Sequence, residues 1–64
     1  MRYPNIKAEQ ARNGLTNQQV ANHLGICRNT YEAKLSRGYF YVEEAQALME
    51  LFGCDFEYLF AKSV

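Results

Sequence analysis

Sixty-four residues make one domain with no room for a second core, and 48% of them are hydrophobic, which excludes a disordered tail. No apolar run reaches signal-peptide or membrane-spanning length, so the expectation is a soluble, cytoplasmic protein. The formal charge is zero, but residues 1–42 carry six cations (Arg2, Lys7, Arg12, Arg28, Lys34, Arg37) against Glu9 and Glu32, while residues 43–64 carry only Lys62 against five carboxylates. That polarity suits a basic face for a polyanion and an acidic face turned away from it.

The glycines at 14, 25, 38 and 53, with Pro4, divide the chain into five pieces of helical length. The first runs from Pro4, suited to a first helical turn, to Asn13-Gly14, which tolerate the left-handed backbone that ends helices. The second opens on Thr16-Asn17-Gln18-Gln19, where Thr16 and Gln19 have capping-box spacing, and it ends at Gly25. Val20, Ala21 and Leu24 share one face of it. The third, about 28–36, buries Tyr31 and Leu35 four residues apart, behind Cys27, a poor capping residue. The fourth, about 42–52, reads as a broad amphipath with Val42, Ala45, Leu48, Met49 and Phe52 on its stripe and Glu43 and Glu44 in its first turn. Asp55 then caps a short fifth helix bearing Phe56, Leu59 and Phe60. The strand-like run Tyr39-Phe40-Tyr41-Val42 is read as an ordered loop with Phe40 turned inward. The fold class expected is therefore all-α.

The segment from Asn17 to Ser36 carries the functional signal. It reads helix, tight turn, helix. Ala21 is small enough for a close crossing, Gly25 supplies the turn, and Val20, Leu24, Ile26 and Tyr31 seal both helices to the core. The second helix of the pair can then project its N-terminal end outward.

Leu15 to Thr30 resembles the helix-turn-helix of the lambda-repressor-like class (Cro/CI or XRE type). The likeness extends to Asn5–Gly14, Phe40–Ala45 and Asp55–Phe60, which look like its first, fourth and fifth helices. The resemblance implies a compact five-helix bundle of that class over residues 1–64, with its helix-turn-helix formed by helices 2 and 3. It implies a sequence-specific regulator of transcription, of phage or mobile-element type, with helix 3 in the major groove of double-stranded DNA and dimers on palindromic operator half-sites. Carried over residue by residue, Arg28, Asn29 and Ala33 meet base edges, and Asn17 and Thr30 touch the backbone.

The chemistry agrees, since Arg pairs bidentately with guanine and Asn with adenine. Lys34 and Arg37 are added as phosphate contacts on charge, with simple solvation as the alternative. Cys27 and Tyr41 stand where the family has Ser or Thr caps. Gln10 stands where many members carry Arg, and Lys34 where they bury an aliphatic residue.

No acid, base or nucleophile cluster suggests an enzyme. His23 and Cys27 are separated by a helix-breaking glycine, and neither a metal, a cofactor nor a small-molecule effector is expected. Cys27 and Cys54 are read as reduced thiols. Arg12 is open to an acidic neighbour or to DNA, and Tyr58 and Phe60 to the core or a twofold partner. The rival function is a protein-interaction module of the same fold, an antirepressor or antitoxin-like partner with little DNA affinity.

Overall fold

Local backbone chemistry sets where each helix starts and stops. In the computed structural model, which describes residues 2–62, five helices follow in order: α1 (Pro4–Arg12), α2 (Asn17–Leu24), α3 (Arg28–Arg37), α4 (Val42–Phe52) and α5 (Phe56–Leu59). No strand occurs among the described residues. The Thr16 hydroxyl accepts the Gln19 N–H, and the Gln19 side chain accepts the Thr16 N–H in return, closing the expected capping box. Asp55 accepts the Tyr58 N–H and starts α5 in the same way. At Gly25 the backbone is left-handed (φ +74°), which lets the Ile26 N–H reach back to the Ala21 carbonyl and turns the chain sharply into α3.

The core is shared by all five helices. Ile6, Val20, Ala21, Tyr31, Leu35, Leu48, Phe52 and Leu59 form it, with Leu15, Leu24, Ile26, Met49 and Leu51 half-buried against it. The whole described body measures 27 × 22 × 21 Å. Ala21 is fully buried between α2 and its neighbours, as the close crossing requires. Phe60 gathers a second aromatic group: Tyr3 and Phe40 meet it edge-on at 5.2 and 5.8 Å, and Phe56 stacks on it at 4.9 Å. Phe40 is thus turned inward as expected.

One apolar expectation is corrected. Val42 does not join the α4 stripe. It is the first residue of its helix and is 69% exposed, because the first turn of α4 runs clear of the core before Ala45 enters it. Phe56, on α5 as expected, leaves more than half its surface in solvent and stacks on Phe60.

Polar side chains around the buried Glu9 tie the ends of the chain together. Arg12 donates through Nε and Nη2 to one Glu9 oxygen at 3.0 and 2.6 Å, and the Tyr58 hydroxyl donates to the other at 2.9 Å. Arg12, left open by the sequence, is thus paired within α1. The Asn5 amide adds a bond to the Tyr58 carbonyl. The Arg12 guanidinium, and after it the Tyr58 hydroxyl, hold the Glu9 carboxyl below the usual carboxylate range. The same bond to Glu9 pushes the Tyr58 phenol up. No helix among the described residues is long and apolar enough to cross a membrane.

Candidate nucleic-acid interface

α3 is a ten-residue helix with two buried residues, Tyr31 and Leu35, which dock it on the core. The remaining side chains are left for its outer surface. Asn29, Ala33 and Arg37 follow at intervals of four and therefore form one row along the helix, all exposed. Thr30 and Lys34 form the row beside it. With Tyr39 as a wall, these six residues line an open groove of about 380 Å³. Ala33 is the small residue between Asn29 and Arg37, so its methyl leaves room where a longer chain would fill the groove. No carboxylate lines it.

Five of the seven residues singled out from sequence are brought together there: Asn29, Thr30, Ala33, Lys34 and Arg37. Arg28 opens the helix beside the groove and is exposed, with its Nε 3.7 Å from the Glu32 carboxylate. Asn17 stands apart on α2. Its oxygen accepts Lys7 Nζ at 2.7 Å and Gln10 Nε2 at 2.8 Å, and its amide nitrogen donates to Glu32 at 3.0 Å. That side chain is fully engaged within the protein, leaving backbone N–H groups of the first turn of α2 as the groups without helical partners.

Lys34 is engaged too. Its ammonium lies 3.2 Å from Glu44 and 4.3 Å from the centre of the Tyr41 ring, and its side chain is 15% exposed. Glu44 also accepts the Tyr41 N–H at 2.9 Å, so one carboxylate fixes both the start of α4 and the flank of α3. A lysine is accommodated at this partly buried position because its stem packs while its charge is matched.

The start of α3 has no side-chain cap, as the sequence suggested for Cys27. The Cys27 sulfur instead pairs with the Thr30 hydroxyl at 3.0 Å. That bond, aided by N-terminal amides of the helix, lowers the thiol's pKa. Gln10 is buried, and its partners satisfy its amide there. It takes the Tyr31 hydroxyl at 2.7 Å and donates to the Leu15 carbonyl at 3.1 Å. Burial pushes the Tyr31 phenol well above the usual tyrosine range.

Two residues outside those seven lie at the groove or at the end of its helix. Tyr39, 75% exposed, forms a wall of the groove. Arg2 lies across Gly38, where an added Cβ would meet its side chain, so a second guanidinium reaches the C-terminal end of α3. The Tyr39 signal was its place directly after the helix stop. Arg2 gave no local signal, because 35 residues separate it from Arg37.

The arrangement defines an all-helical domain that carries an outward-facing helix behind a tight glycine turn. No protein-family model matches the chain, and no curated protein or solved structure shows significant similarity to it.

Proposed function

We propose that this chain is a sequence-specific double-stranded DNA-binding regulator of the lambda-repressor-like type, with α3 as its recognition helix in the major groove. The observation that carries the reading is the outer surface of α3. Arg28, Asn29, Ala33 and Arg37 are all exposed on a helix docked on the core by Tyr31 and Leu35. A major groove about 12 Å wide admits one α-helix, and base edges there present the acceptors and donors that Arg and Asn read. In this reading Arg28 takes guanine, Asn29 adenine, and Ala33 offers a methyl to thymine.

Thr30, Arg37, Tyr39 and Arg2 supply backbone contacts, which position the helix without reading sequence. Lys34 and the Asn17 side chain serve the protein body, and Asn17's helix turn contributes through its amides. The acidic groups of the C-terminal third, Glu43, Glu50, Asp55 and Glu57, stay off the groove. The chain acts by occupying an operator, as a homodimer where the operator is palindromic.

The test is selection from a random duplex library with the purified chain, followed by salt titration of the winning duplex. Binding should converge on one motif, and log K should fall with log salt by about 0.9 for each phosphate neutralised. Failure to enrich any motif ends the proposal.

A second reading, a protein-interaction module, is favoured by one observation: Tyr39, Tyr41 and Val42 expose apolar surface in a short span beside α3. It predicts a stoichiometric protein complex whose affinity changes little with salt, and no duplex binding even at low salt.

A further inference from the structure

A hydrogen-bonded chain runs from the core to the outer surface of α3, and its direction is fixed by chemistry. Lys7 can only donate, so the Asn17 oxygen must face it, and the Asn17 nitrogen is left facing Glu32. Gln10 must present nitrogen to the Leu15 carbonyl, so its oxygen accepts the Tyr31 hydroxyl. The polarity then reads Tyr31 to Gln10, Gln10 to Asn17, Asn17 to Glu32. Its origin, Tyr31, is fully buried. Its end, Glu32, is exposed and faces Arg28 across 3.7 Å.

Glu32 is the one carboxylate on α3. The core does not require it, since its side chain is 44% exposed. A carboxylate on a helix that approaches phosphates costs affinity wherever no base contact offsets its repulsion. Specific interfaces use such repulsive elements against wrong partners.

We propose that Glu32 is a selectivity-determining positioning residue that acts through Arg28: held by Asn17, it restrains the guanidinium on arbitrary duplex and yields it where guanine offers two acceptors. The inference rests on the DNA-binding reading. An ion pair at 3.7 Å on an exposed surface is weak, so a bidentate guanine contact displaces it. A lone phosphate oxygen competes less well, because it also meets the repulsion of Glu32.

The experiment compares the duplex selected by the full chain with a scrambled duplex of equal length. Glu32→Gln should raise affinity for the scrambled duplex about 3–10-fold and for the selected duplex less, so their ratio falls. Glu32→Asp keeps the charge but shortens the reach, and it should lower the ratio without strengthening scrambled binding. In an Arg28→Ala background, Glu32→Gln should change both affinities by one factor and leave the ratio unmoved. In the free protein, the Arg28 Nε–Hε NMR resonance should shift on Glu32→Gln while the thermal melt stays in place.

A ratio unmoved by either Glu32 variant, or moved equally without Arg28, overturns the role of Glu32 and leaves the DNA reading standing. If the full chain binds neither duplex at low salt, the DNA reading falls and the selectivity role with it.

Discussion

α3 and α4 are nearly equal in length and opposite in use. α4 buries Glu44, Ala45, Leu48 and Phe52 over eleven residues, whereas α3 buries only Tyr31 and Leu35 over ten. α4 carries its acidic first turn where the helix dipole favours anions, and α3 has no acidic first turn and ends in Lys34 and Arg37. A helix that spends so little surface on the core is free to present the rest. The contrast teaches that one small bundle separates a helix that holds the fold from a helix the fold holds out.

The contrast breaks most visibly in the core. Leu48→Ala, at a fully buried position of α4, should cost about 2–5 kcal/mol, a large share of a small domain's stability, and urea unfolding monitored by circular dichroism will measure it. Arg28→Ala should leave that unfolding curve within about 0.5 kcal/mol, as surface substitutions usually do. It should instead cost about 1–3 kcal/mol on the selected duplex and relax the preference at one base. Unchanged binding by this variant removes Arg28 from the reading.

Cys27→Ser sharpens the comparison at the start of α3, where no side-chain cap exists. A serine oxygen at that position should stabilise the domain by roughly 0.5–1 kcal/mol, seen as a higher melting temperature. A lower one would mean that the sulfur's bond to Thr30 matters more than a missing cap.

The smallest effect concerns Glu9, away from both helices. Its folded pKa is depressed below the ordinary value of 4.5, so its stabilisation is present above that value and is lost as pH falls through the lower folded value. Melting temperatures of the native chain and Glu9→Gln should therefore converge on acidification below pH 4.5. Parallel curves down to pH 2 would show that the carboxylate contributes nothing.

What could be read in advance was local. Thr16 and Gln19 are three apart and cap each other, so their spacing alone announced the start of α2. The glycine stops and the Tyr31–Leu35 pair are equally short-range, and the five-helix layout followed from them. For the candidate site, helical spacing accounts only for Asn29, Ala33 and Arg37 sharing a row; the choice of Asn29 and Ala33 came from the family resemblance, and that of Arg37 from its charge.

Long-range partners were not legible. Glu9 is buried because Tyr58, 49 residues on, supplies its second bond. Lys34 withdraws from solvent because Glu44 and Tyr41 meet it from the next helix and loop. Asn17 sits at a helix start, where phosphate contact is a natural guess, yet Lys7, Gln10 and Glu32 consume its amide. Val42 misled because periodicity does not say which end of a stripe leaves the core first.

The phenol of Tyr31 makes the molecule its own optical gauge. The chain has no tryptophan, and Tyr31 sits with no exposed surface where α3 docks on the core, its hydroxyl bonded to Gln10 of α1. Because burial holds its proton on, tyrosinate absorbance from this ring is tied to separation of α3 from the core. An alkaline ultraviolet titration with Tyr31→Phe as the blank thus times the opening of the platform on which the outward helix rests, without a label or a ligand.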